Sequence, residues 1–245
     1  MSKPQIVSLP SGHHNEDLPR STDRILKGGS WKKQRIVVIL PSADLIPAKV
    51  ALSHWSLIFP PNQATHRMLA LGMEVGDAYS NTINEIINHP ELSQWEYILT
   101  IEADNCPQQD GVVRLVQQME AHPELACVGG LYWTKGVGGV PQIWGDPHDL
   151  QLNYRPQAPV SGQLVECCGT GMGFNLWRIS MFKDARLRRP WFKTLNGTEG
   201  LGVGTQDLYF WGNARQFGYR CAVDCGVLVG HYDYAGNFGS PDKMW

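Results

Sequence analysis

Two carboxylates two positions apart, Glu102 and Asp104, close the apolar run Tyr97-Ile98-Leu99-Thr100-Ile101. The run reads as a buried strand, and side chains at i and i+2 of a strand lie on the same side. Open α/β sheets bind ligands outside the carboxyl ends of their strands, so the pair falls where a ligand would be held. Hard cations such as Mg²⁺ or Mn²⁺ take oxygen ligands, commonly one or two carboxylates together with substrate phosphates. The spacing therefore offers a metal–diphosphate site, although an acidic loop after a core strand accounts for the same residues.

Three further features carry chemistry. Asp207, in Thr205-Gln206-Asp207, sits in the first turn of a helix with Thr205 as N-cap. The helix dipole there would keep a carboxylate ionised, ready to accept a proton from an attacking hydroxyl or simply to stabilise the helix. His231 follows the last apolar strand, a place for a strand-capping histidine or a metal ligand. Gly169-Thr170-Gly171-Met172-Gly173 lacks the spacing and the long following helix of a dinucleotide fingerprint. It reads as a turn that lets backbone approach a substrate, or as a structural bulge. Lys183, Arg186, Arg188, Arg189 and Lys193 surround Trp191 and Phe192, a pattern that holds phosphate and stacks on rings, or a solvated charged turn.

The elements that must position these residues alternate through the first 133 positions. Strands are expected at 35–40, 65–71, 97–103 and 126–133, with helices at 47–58, 78–88 and 108–122. That order predicts a mostly parallel sheet flanked by helices. Residues 1–34 read as a surface-draped arm with a turn at Gly28-Gly29-Ser30. After 133 the pattern changes. Residues 136–162 read as hairpin or loop, 164–168 and 222–229 as strands, 178–182 as a short helix and 205–217 as a longer one. This half is expected to wall the cleft on the acceptor side rather than to build a second core.

Composition narrows the classes. With 42% hydrophobic and 18% charged residues, the chain fits an ordinary globular protein, and 245 residues can form one α/β domain or a domain with a small appendage. A balance of 21 basic against 23 acidic residues argues against a general polyanion binder. No apolar run approaches the roughly 20 residues of a membrane span, and Met1–Arg20 lacks a signal-peptide core. A cytoplasmic protein without transmembrane association is expected. The six cysteines form no Cys-x-x-Cys pair and sit mostly in apolar segments, so buried free thiols are expected; Cys221 and Cys225 have a weak metal-like spacing.

Taken in order, these landmarks resemble the nucleotide-sugar glycosyltransferases of the GT-A fold, glycosyltransferase family 2 in particular. The strand RIVVILP (35–41) resembles the family's opening strand, and MEVGDAYSNTIN (73–84) the segment leading into its second helix. IEADN (101–105) resembles the Asp-x-Asp motif, and GTQDLYFWGNARQFGY (204–219) the helix that carries the catalytic base. The chain departs from the pattern twice: Glu102 stands for the first Asp, and Gln206 for the Glu that usually precedes the base.

The resemblance implies a single GT-A-like domain. Its nucleotide-sugar half would span 35–133 and its acceptor half 134–245. It implies Mn²⁺ or Mg²⁺ on Asp104 and His231, with Glu102 on the metal or the ribose. Pro41, Asp77, Asn81 and Ala103 would line a UDP- or GDP-sugar donor. Asp207 would be the base of an inverting transfer. Gly171, Met172, Gly173, Trp133, Trp191 and Gln206 would face the sugar or an acceptor, whether a glycan, a small molecule or modified nucleic acid. A nucleotidyltransferase, or a non-catalytic sugar- or nucleic-acid-binding module on the same fold, is the alternative.

Overall fold

The chain is built on a nine-stranded sheet. The computed structural model describes residues 5–10, 35–60, 64–136, 138–148, 154–195 and 205–232. In chain order the first elements are β1 (Gln5–Pro10), β2 (Ile36–Ser42), α1 (Ala48–Ser56), β3 (Thr65–Leu71) and α2 (Val75–Asn88). There follow β4 (Tyr97–Ile101), β5 (Asn105–Pro107), α3 (Gly111–Ala121) and β6 (Cys127–Leu131). The remainder comprises β7 (Ile143–Trp144), β8 (Leu164–Cys167), β9 (Gly169–Thr170), β10 (Phe174–Arg178), α4 (Ile179–Phe182), α5 (Gln206–Ala214) and β11 (Cys221–His231).

The strand order is β1-β3-β2-β4-β10-β6-β11-β5, with β8 also on β11. β3, β2 and β4 are mutually parallel, and β6 is parallel to β11. β10 is antiparallel to both β4 and β6, so β6 and β11 run the same way as β4. This is the expected mostly parallel central sheet, with one reversed strand at its middle. The carboxyl ends of β2, β4, β6 and β11 therefore share an edge with the amino end of β10. That edge carries the candidate site.

Burial on both faces explains the continuous apolar runs: all five residues of β4 and of β6 are buried. One face packs Tyr79, Ile83 and Ile86 of α2 with a group of aromatic rings from the second half of the chain. The other packs Val112, Leu115, Val116 and Met119, the apolar stripe of α3. β10 serves both, since Trp177 joins the first cluster while Phe174 and Leu176 join the second. Two helical layers thus close over one sheet.

Two strands depart from expectation. β10 falls where only a glycine run and a short helix are predicted; its alternation is interrupted by Asn175, a fully buried polar residue whose amide donates to the Gly171 carbonyl. Within the stretch expected to be an arm, residues 5–10 form β1, antiparallel to β3 with Ile6 opposite Ala70. The turn expected at 28–30 lies outside the described residues. α2 starts three residues earlier than predicted, because Glu74 accepts the Gly76 and Asp77 backbone N–H groups at 2.7 and 3.1 Å. All six cysteines are free and buried, as expected.

Candidate active site

β4 stops at Ile101, and the next four residues turn so tightly that Asn105 N–H returns to the Glu102 carbonyl. The turn is fixed from both neighbours. Glu102 N–H donates to the carbonyl of Gly173, just before β10, and Asp104 accepts from Tyr232 N–H just after β11. A cleft of about 320 Å³ opens beside it, walled by Pro41 and Ala43 after the core of β2, Met73, Glu102, Ala103, Asp104 and Gln206. Four of the expected donor or metal residues and one expected acceptor residue thus share one wall.

The two carboxylates differ in environment. The Glu102 carboxyl is pushed up to about 8 by burial, with the Asp104 and Asp207 charges adding, so it carries a proton at neutral pH. Tyr79 donates its hydroxyl to Glu102 Oε1 at 3.4 Å. Burial also works to raise Asp104, but hydrogen bonds from His231 and Lys135 outweigh it and hold this carboxyl below its ordinary value. Lys135 Nζ lies 2.5 Å from Asp104 Oδ2, and His231 Nε2 lies 3.7 Å from the same oxygen.

His231 is the last residue of β11, opposite Asn105. Its Nδ1 is 2.7 Å from the Trp133 carbonyl, which can only accept, so Nδ1 carries a proton and Nε2 is the ring nitrogen that faces Asp104. A divalent cation would bind at Nε2 in place of a proton there. Asp104 and His231 could supply two ligands to an octahedral ion that takes the rest from phosphate and water. Among the described residues no three His, Cys, Asp or Glu side chains cluster to hold an ion, and an ion on Asp104 Oδ2 would have to displace Lys135.

Asp207 opens α5 and is 6% exposed. Its Oδ1 accepts Leu208 N–H at 2.8 Å. The helix start was expected to keep this group readily ionised, but burial lifts its carboxyl above the usual range, against the Thr205 hydroxyl and Leu208 N–H that favour the charge. Thr205 has the extended N-cap backbone, but its side chain makes no cap bond to the helix.

The remaining predicted residues divide into two groups. Gln206 lines the cleft, and Trp133 is half-buried beside His231. Asp77 and Asn81 are exposed one turn apart on α2, with the Asn81 amide against Met73 Sδ of the cleft wall. By contrast Trp191, expected to stack on a ligand, is 2% exposed and packs edge-on against Phe182. Met172 is likewise buried. The expected close approach at Gly171 and Gly173 is to Tyr132: a Cβ would collide with its hydroxyl at Gly171 and meet its ring at 2.7 Å at Gly173. The basic loop carries its own counter-ion, with Arg186 2.6 Å from Asp184, and none of its cations is in the cleft wall.

Tyr79, Tyr132 and Lys135 were missed from the sequence. Burial, with the Glu102 charge, pushes both phenols well up and keeps them neutral donors. Tyr132 donates no charge but accepts Gly173 N–H at 2.8 Å. A signal existed for two of them: Tyr132 and Lys135 follow the carboxyl end of β6, on the same ligand-bearing edge as the acidic turn.

Fold and site together define an α/β protein whose polar centre is gathered at the carboxyl edge of a mostly parallel sheet. No family model matches this chain, and no curated protein matches it in sequence. Among solved structures it is similar to A197 from STIV, with 13% identity, 86% of this chain and 92% of that chain covered, and a TM-score of 0.60. It is also similar to GalNAc-T7 with UDP, GalNAc and Mn²⁺, with 11% identity, 86% of this chain and 46% of that chain covered, and a TM-score of 0.48. At 13% identity the likeness to A197 is one of fold alone. No helix among the described residues is long and apolar enough to cross a membrane.

Proposed function

We propose that this protein is an inverting glycosyltransferase that moves a sugar from a UDP- or GDP-linked donor to an acceptor hydroxyl. The observation that carries the reading is convergence: Glu102, Asp104, His231 and Asp207, from three separate stretches of chain, meet at one edge of the sheet, and Gln206, beside Asp207, lines the same cleft as the acidic turn. Asp104 and His231, with Glu102 near, would hold Mn²⁺ or Mg²⁺, which supplies Lewis-acid neutralisation of a diphosphate leaving group. Pro41 and Ala103 would bound the nucleotide, with Asp77 and Asn81 at the rim. The first half, to residue 133, would hold the donor, and the second half would present the acceptor beside Trp133 and Gln206.

Asp207 takes the proton of the acceptor hydroxyl as its oxygen attacks the anomeric carbon opposite the departing diphosphate. Its raised carboxyl makes it a stronger base than an exposed aspartate. Glu102, neutral at the turn and held by the Tyr79 hydroxyl, can donate a hydrogen bond to a donor oxygen. The experiment is incubation with UDP- and GDP-sugars and Mn²⁺, following nucleoside diphosphate release with and without acceptors. Asp207→Asn is expected to keep donor affinity within about threefold while lowering turnover by at least about 10²-fold. Wild-type turnover in that variant overturns the assignment of the base, and no release from any donor overturns the transfer reading.

A further inference from the structure

Asp104 is part of the cleft wall, and its Oδ2 already carries a cation of the protein's own. Lys135 Nζ sits 2.5 Å from that oxygen, the same oxygen that His231 Nε2 approaches to 3.7 Å. One stretch of chain after β6 sets both partners. The Trp133 carbonyl fixes the His231 ring, and two residues on Lys135 reaches Asp104 across 31 positions of sequence.

The place of Lys135 is set by a closed loop. Thr134 N–H donates to the Val140 carbonyl at 2.8 Å, and Val140 N–H returns to Thr134 Oγ1 at 2.9 Å, with Trp133 opposite Pro141 behind them. Lys135 is the first residue beyond that closing pair. Its side chain is 35% exposed, and its flexible stem lets the ammonium swing while the backbone stays in place. The acidic turn does not depend on the contact: Glu102 N–H on the Gly173 carbonyl and Tyr232 N–H on the Asp104 carbonyl hold it from both sides. A partly exposed ion pair also adds little to stability. The contact therefore calls for a reason other than holding the fold.

We propose that Lys135 is a tethered competitor for the cation position on Asp104, and that an arriving diphosphate clears the position by drawing the ammonium onto its own oxygens. Charge decides the exchange. With Lys135 in place the Asp104 carboxylate is already neutralised. A divalent cation alone would have to part the ammonium from the carboxylate and leave it nearby as a like charge. A diphosphate brings several negative charges and acceptor oxygens, which a lysine ammonium binds readily. Lys135 can then exchange one anion for another, and Asp104 Oδ2 opens beside oxygens of the kind that hard cations take. The inference rests on the transferase reading in one respect, that the cleft holds a nucleoside diphosphate. It adds an order of binding: the cleft holds a divalent cation poorly until the diphosphate is in place.

The test compares the full chain with the variant Lys135→Met. Mn²⁺ alone is titrated and followed by electron paramagnetic resonance; UDP and GDP are titrated in chelator and followed by calorimetry. One substitution should move the two affinities in opposite directions. The variant is expected to bind Mn²⁺ at least about tenfold more tightly than the wild type, and the nucleotide at least about fivefold more weakly. Its circular-dichroism spectrum should match, because backbone bonds hold the turn. An unchanged affinity for Mn²⁺, or for the nucleotide that binds, overturns the inference and leaves the transferase reading standing. Wild type and variant that bind neither Mn²⁺ nor either nucleotide overturn both.

Discussion

Glu102 holds its proton up to about pH 8 in the native state, whereas in the unfolded chain the carboxyl loses it near its ordinary value of 4.5. Between those values the native state binds more protons than the unfolded one, so stability falls as pH rises through the window. Glu102→Gln removes the titration. In chelator, the variant should melt several degrees above the wild type at pH 8.5 and with it at pH 4, by thermal denaturation at the two values; equal melting at both would show that the carboxyl is not held protonated. At this scale Asp104, Glu102, Asp207 and His231 were legible, because each is a polar residue at the end of an apolar element. Lys135 and Tyr79 were not: what matters about them is a 2.5 Å contact and a 3.4 Å contact with residues 31 and 23 positions away.

At the scale of elements, the glycine run after β9 is the hinge of the site. Gly173 gives its carbonyl to Glu102 and its N–H to Tyr132, and a Cβ there would stand 2.7 Å from both Asn105 Oδ1 and the Tyr132 ring. Gly173→Ala should cost about 1 to 3 kcal/mol of overpacking, read as a fall in Tm of several degrees, and should weaken donor binding by displacing the acidic turn. A variant as stable as wild type would mean the ring and turn can retreat freely. The run was read from sequence as a close approach, and that much was right in kind. Its partner was not visible, since Tyr132 arrives from β6 through the sheet. β10 was missed for a related reason: its polar interruption, Asn175, donates its amide to the Gly171 carbonyl, a bond that only the folded turn supplies. β2 and β4 were plain, because uninterrupted apolar runs of their length have few other uses, whereas β3, which opens on Thr65, His66 and Arg67, was a weaker signal.

On the scale of the whole molecule, stability concentrates in the aromatic layer between the sheet and the second-half helices. Trp177 of β10 stacks on Trp211 at 5.3 Å between ring centroids, and Phe182, Phe192 and Phe210 pack around it. It is fully buried, so Trp177→Ala should lower the unfolding free energy by about 3 to 5 kcal/mol, measured by urea denaturation; a loss under about 1 kcal/mol would place the fold's centre elsewhere. Trp191, expected to face a sugar or acceptor, is a core residue along with Trp95, Trp177 and Trp211.

The reversed strand at the middle of the sheet also constrains how the molecule can be made. A nascent chain completes β4 and β6 before the residues that separate them exist, and each waits with an unpaired edge until 174–178 emerge. Such edges invite pairing with other chains. Neither half of the sequence is a foldable piece, because the strand that joins the first half's sheet is encoded in the second. Gene fusions or split versions of this protein would therefore do better to break it outside 97–178 than at the apparent midpoint.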